Sequence, residues 1–157
     1  MNNIVKRTTL MVRDMERSIE WYQRVMGMTV WMDTEFVLSD GGLAAGNPGD
    51  KTRLVILKCE HDTIGMIGLL QWLEPEMPAP TEIPTSITFG NPTFVVASDD
   101  AQGTYDTAKA LGTHIHKAPG EWSTTGQDGR TKHFIGMSLF DPDGYFFEVN
   151  QLLRIGD

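Results

Sequence analysis

Asp14 and Gly27 stand thirteen positions apart, and Asp99 and Gly112 repeat that spacing 85 residues further on. An apolar stripe at helical period runs between the members of each pair. It comprises Met15, Ile19, Tyr22, Val25 and Met26 in the first copy, and Ala101, Tyr105, Ala108 and Leu111 in the second. An aspartate can accept the free N–H groups of a first helical turn, and a glycine past the last turn takes the left-handed backbone that ends a helix. Each copy therefore predicts one amphipathic helix. Strand-like alternation surrounds both. Residues 4–13 precede the first helix, and 28–39, 53–59 and 64–72 follow it, the last two parted by Glu60–Thr63 as in a hairpin. Residues 91–97 precede the second helix, and strands near 113–117, 132–140 and 145–152 follow it. Residues 40–51 and 118–131 read as loops.

Residues 73–89 separate the copies and carry Pro75, Pro78, Pro80 and Pro84. Proline lacks the ladder donor and fixes φ, so this stretch reads as a linker. The predicted fold is α+β, with two βαβββ modules in one chain, 4–72 and 90–152, packed around a shared site. The 157 residues suit a single domain, 1–157, large enough to fold without a disulfide or a metal.

Charge narrows the partners. Thirteen Lys and Arg face twenty-one Asp and Glu, a net charge of −8 with a pI near 4.9. Such a chain repels phosphate backbones and anionic membrane surfaces, and no basic stripe interleaved with aromatics offsets this. A small-molecule ligand or substrate is expected, with no nucleic-acid and no membrane partner. No apolar run approaches the roughly 18 residues of a membrane span. The opening MNNIVKRTT lacks the apolar core of a signal peptide. Cys59 is the single cysteine, so no internal disulfide forms and a cytoplasmic location is expected.

Three stretches resemble one family. TLMVRDMERSIEWYQRVMGM resembles the opening strand and helix of the vicinal oxygen chelate superfamily, which includes glyoxalase I, bleomycin-resistance binding proteins and extradiol dioxygenases. SLFDPDGYFFEVNQ resembles its closing hairpin, in which a DPDG turn leads into the last strand and a glutamate. KALGTHIHKAPGEW resembles the helix exit, strand and bend of its second module. The resemblance covers about residues 4–151 and implies two βαβββ modules whose sheets curl around a cleft. It also implies a homodimer. In metal-dependent members, two His and two carboxylates, or two His and one carboxylate, hold Fe(II), Mn(II), Ni(II) or Zn(II) and leave positions open for substrate oxygens.

Carried onto this sequence residue by residue, the first-strand His slot falls on Arg7 and the last-strand slot of module one on Gly68. The second module's His slot falls on Asn91, or on Pro92 when counted back from Gly112, and the final carboxylate slot on Glu148. Guanidinium has no lone pair to give and glycine has no side chain, so Glu148 alone is a good ligand. No cofactor is expected, and a divalent metal is disfavoured. The site expected from the resemblance uses Arg7 and Glu148 as the chemically active pair. Asn91, Trp72, Trp122 and Phe146 join them in ligand binding. Phe146 and Asn150 share the strand face of Glu148. Glu148 also reads as one half of a buried ion pair with Arg7, and Arg7 as a side chain that reaches solvent near the N-terminus.

Several residues carry competing readings. Trp21, beside Tyr22 on the first helix, reads as core or interface, while Trp31, Trp72 and Trp122 could stack on a planar ligand or fill core. His114, His116 and Glu121 match the first metal motif of the cupin barrels, HxHx4E, although cupins have no repeated amphipathic helix. Cys59 has only His61 nearby and reads as an inert thiol. Three functions remain open. The first is a metal-independent protein that binds a small oxygenated, anionic or aromatic molecule. The second is a glyoxalase- or dioxygenase-type enzyme with divergent metal ligands, and the third is a cupin-like metal enzyme.

Overall fold

The computed structural model describes residues 1–156. It divides into two units, Met1–Thr81 and Glu82–Asp157. Unit 1 contains β1 (Arg7–Met11), α1 (Met15–Arg24), β2 (Thr29–Val37), β3 (Lys51–Lys58) and β4 (Met66–Glu74). Unit 2 contains β5 (Thr93–Ser98), α2 (Ala101–Ala110), β6 (Ile115–Thr125), β7 (Thr131–Phe140) and β8 (Phe146–Ile155). Each is a βαβββ module with a four-stranded sheet, ordered β1-β4-β3-β2 in unit 1 and β5-β8-β7-β6 in unit 2. The first strand runs parallel to the last in both modules, and the other neighbours are antiparallel. Among the described residues, no helix is long and apolar enough to cross a membrane.

The helices form as their sequences dictate. The Asp14 side chain accepts a hydrogen bond from Arg17 N at 3.1 Å and starts α1. In unit 2 the cap is Asp100, not Asp99. Its Oδ1 accepts from Gly103 N at 2.8 Å, and its own N–H donates to Ser98 Oγ. A second device repeats as well. Gln71 of β4 accepts the first N–H of α1, from Met15, and Gln151 of β8 accepts the first N–H of α2, from Ala101, both at 3.1 Å. Each helix is thus tied by its N-terminus to the last strand of its own module.

That tie identifies the sheet face covered by the helix. Side chains alternate along a strand, so Gln71 shares its face with Leu69, and Gln151 shares its face with Val149 and Phe147. The helix-side core of unit 1 comprises Leu10, Val55, Leu57 and Leu69, closed by Met15 and Tyr22 of α1. In unit 2 it comprises Met137, Leu139, Phe147 and Val149, closed by Ala101 and Ala108 of α2. Burying each large apolar side chain contributes about 1.5–3 kcal/mol. Trp21 joins the core of unit 1, edge-on to Tyr22 at 4.9 Å. Arg53 of β3 forks onto Asp33 of β2 at 2.8 and 2.7 Å and reaches Glu16 of α1 at 2.6 Å, pinning helix to sheet.

One boundary differs from the sequence expectation in kind. β6 runs through residues 118–125, which read as a loop. Pro119 is accommodated because β6 is an edge strand and its ladder with β7 is irregular between Ile115 and Lys117 and again between Lys117 and Gly120. The expected strand 91–97 begins only at Thr93.

Candidate functional site

Arg7, Trp72, Phe146 and Glu148 lie on the sheet faces turned away from the helices. In unit 1, Arg7, Thr9 and Met11 project from β1 on that side and are exposed. The register sets Arg7 beside Met66, Thr9 beside Gly68 and Met11 beside Leu70. Gly68 supplies no side chain, and its neighbours lie over the vacant space. A Cβ at residue 68 would stand 2.8 Å from Thr9 Oγ1, 3.1 Å from Arg7 Cδ and 3.4 Å from Arg7 Nε. The Arg7 Nε donates to Thr9 Oγ1 at 3.1 Å, an exposed contact that draws the guanidinium stem along β1. Its Nη groups are the donors that remain for a ligand.

Trp72 lies on the same face of β4 but is buried. It packs with Leu38 and Leu70, against Ala45, Leu54 and Met77, and its indole N–H donates to Asp50 Oδ2 at 3.0 Å. The ring therefore anchors the 39–50 loop to the sheet.

In unit 2, Glu148 occupies the strand position that Gly68 occupies in unit 1. Thr9 pairs with Gly68 two residues after Arg7 pairs with Met66. Val95 pairs with Glu148 two residues after Thr93 pairs with Phe146. The counterpart of Arg7 is therefore Thr93. Asn91 lies before β5, in a turn where its N–H bonds Thr88 O and its side chain bonds Thr88 Oγ1. The residues 91 and 92 expected in this slot both precede the strand.

The turn before β8 is set by Asp141, whose Oδ1 accepts from Asp143 N at 2.9 Å and from Tyr145 N at 2.8 Å. From it, β8 delivers Phe146, Glu148 and Asn150 to one face. Glu148 is half-buried, with Ser138 of β7 opposite it and the exposed Val95 of β5 beside it. Its Oε1 accepts from Asn150 Nδ2 at 2.7 Å. The Asn150 Oδ1 in turn accepts from the Trp122 indole N–H at 3.1 Å. Aromatic rings flank this chain. Trp122 stacks on Phe134 with centroids 4.7 Å apart and planes 17° from parallel. Phe140 and Phe146 meet edge-on at 5.3 Å, and His116 packs on both.

Asn150, Gly136, Thr9 and Phe134 are the residues that sequence reasoning left without a role. A glycine inside a central strand, such as Gly136, was the available signal, since it marks close approach of other groups.

The metal sets of the resemblance do not fit these residues. Unit 1 offers a guanidinium and a glycine at its two slots, and unit 2 offers a threonine hydroxyl and one carboxylate. Among the described residues, no three His, Cys, Asp or Glu side chains gather in either unit into a group that could hold a metal ion. This applies also to His114, His116 and Glu121. His116 and Glu121 lie on an irregular edge strand of an open four-stranded sheet, not in a closed barrel, and His114 precedes that strand.

The family model of the Glyoxalase/Bleomycin resistance protein/Dioxygenase superfamily matches residues 4–149. A protein of Vibrio cholerae described as "Probable lactoylglutathione lyase" is 27% identical over 150 residues, covering 96% of this chain and 91% of its own length. Among solved structures, a glyoxalase family protein from Bacillus cereus superposes with a TM-score of 0.78 at 11% identity, over 98% of this chain and 97% of its own. The trypanothione-dependent glyoxalase I of Leishmania major gives a TM-score of 0.61 at 17% identity, over 96% and 87%.

Proposed function

The chain belongs to the Glyoxalase/Bleomycin resistance protein/Dioxygenase superfamily, and from that premise we propose that it binds a small oxygenated molecule through side chains instead of a transition metal. One observation carries this reading: the Arg7 stem and the Thr9 hydroxyl fill the space above Gly68. A fixed cation with a planar fork of donors stands where the resemblance calls for a metal ligand, and it suits a carboxylate or enolate oxygen. In unit 2, Glu148 offers an acceptor, and Phe146 and Trp122 offer apolar surface for a planar group. The reading includes a homodimer and a cytoplasmic location, supported by the family and by the single cysteine.

The test is a thermal-shift screen of tag-free protein in excess chelator against benzoate, salicylate, pyruvate and related small carboxylates. The reading expects a stabilising subset in chelator whose effect weakens in Arg7→Lys, because an ammonium cannot make the two-point contact. Stabilisation that appears only after a divalent metal is restored would overturn it.

The Vibrio relative favours a second reading, a lyase with divergent metal ligands. Turnover of lactoylglutathione that depends on added metal would select it over the first.

A further inference from the structure

We propose that Asn150 and Trp122 are positioning residues that hold the Glu148 carboxylate in one orientation and report its charge to the aromatic wall beside it. The direction of the hydrogen-bond chain is forced by chemistry. An indole N–H can only donate, so Asn150 must turn its carbonyl oxygen toward Trp122. Its NH2 then faces Glu148, which in the ionised state can only accept. The amide orientation, ordinarily ambiguous, is thus fixed by the two ends of the chain.

Gly136 makes the crossing possible. A Cβ at this residue would stand 2.5 Å from the Trp122 Nε1 and 2.7 Å from the Asn150 Oδ1. The indole and the carboxamide therefore meet directly over a strand position that only glycine leaves open. The fold does not demand this arrangement. In unit 1 the paired positions that correspond to Gly136 and Asn150 are Leu54 and Leu70, which belong to an apolar cluster. One module fills these positions with hydrocarbon, and the other spends them on a polar relay that ends at Glu148.

The relay occupies Oε1 of Glu148 and directs Oε2 to a ligand O–H or N–H donor. Neutralising Glu148 weakens its pull on the Asn150 NH2, because a charge-assisted bond becomes a neutral one. The carboxamide then holds the Trp122 indole less firmly, and the ring is free to shift on Phe134. The other titratable groups on neighbouring strands are His116, which packs on Phe146, Lys117, in register with Ser138, and Lys132 and His133 of β7, in register with Thr124 and Ser123. Glu121 sits in the register step before Trp122.

The inference rests on the reading that Glu148 faces the ligand, but its coupling is measured without any ligand, so the two fail separately. The experiment is NMR of protein labelled with 15N in the tryptophan indoles and 13C in the glutamate carboxyls. Four tryptophans give four indole signals, and Trp122→Phe identifies the one of interest. The expected result is a Trp122 N–H signal that moves with pH along the same curve as the Glu148 carboxyl signal. That movement is lost in Glu148→Gln and in Asn150→Leu, but persists in His116→Gln and Lys117→Gln. The leucine substitution places at residue 150 what unit 1 carries at Leu70, and the backbone spectrum checks that each variant is folded. A Trp122 signal that stays fixed while Glu148 titrates would overturn the proposal, as would movement retained in Glu148→Gln.

Discussion

Arg7 lies across Gly68: a Cβ on residue 68 would stand 3.1 Å from the Arg7 Cδ and 2.8 Å from the Thr9 hydroxyl that holds the Arg7 Nε. The two residues are complementary. The absence of a side chain at one makes room for the stem of the other. The glycine at residue 68 and the guanidinium stem of Arg7 are therefore one spatial arrangement shared by two strands.

Gly68→Ala tests that complementarity. The new methyl group must displace Thr9 or Arg7, at a cost of about 1–3 kcal/mol typical of overpacking. Chemical denaturation should show this loss in the wild-type background and a smaller one in Arg7→Ala/Thr9→Ala. Equal losses in both backgrounds would mean that the two side chains do not occupy the space above Gly68.

Asp33→Asn probes the fork that pins α1 to its sheet. The hydrogen bond from Arg53 holds the Asp33 carboxyl below its ordinary range, outweighing desolvation, with the Arg53 charge adding to the effect. A lowered folded value gives stability that is present above the unfolded value near ~4 and is lost as pH falls through the folded one. Asp33 is partly exposed, so screening limits the loss at neutral pH to about 0.5–1 kcal/mol. Urea titrations of wild type and variant should differ at pH 7 and converge in acid below that window.

Core substitutions should separate by depth. Leu69 is fully buried on the central strand β4, and Leu69→Ala should cost about 2–5 kcal/mol. Ile19 is only partly covered on α1, so Ile19→Ala should cost about half as much or less. Denaturant midpoints measure both, and the reverse order would contradict the assignment of the helix-side face.

Cys59 should react slowly. Cys59 is exposed just past the end of β3, so access does not protect it; partial desolvation by its neighbours, followed by the negative charge of Glu60, pushes its thiol above the ordinary value. Its alkylation rate should rise with pH later than that of free cysteine, and Glu60→Gln should bring the two curves closer. An alkylation curve at or below that of free cysteine would contradict this.

Much of the architecture was legible in the sequence because the same local signals occur twice. Asp14, Gly27 and the stripe through Tyr22 specify α1 from nearest neighbours alone. At residues 99 and 100 two aspartates are adjacent, and either could cap. The choice of Asp100 depends on the approach of Gly103, which composition does not reveal. Pro119 read as a loop because its tolerance depends on β6 being an edge, a property of the sheet and not of the segment. Counting from a family pattern gives Asn91, whereas the β5 residue whose register matches that of Arg7 in β1 is Thr93. The face shared by Phe146, Glu148 and Asn150 followed from strand alternation. The reach of Trp122 over Gly136 joins β6, β7 and β8, and no local pattern contains it.

Side chains, led by Arg7 over Gly68, are proposed to stand in place of a metal centre. This is tested most directly by loading tag-free, chelator-treated protein with excess Fe(II), Mn(II), Ni(II) or Zn(II), desalting it, and measuring metal per chain by mass spectrometry. Retention should stay far below one ion per chain for every metal, with the same value for Glu148→Gln. Retention of about one ion per chain that falls in Glu148→Gln would contradict it, because a lone carboxylate with oxygen neighbours holds such ions weakly.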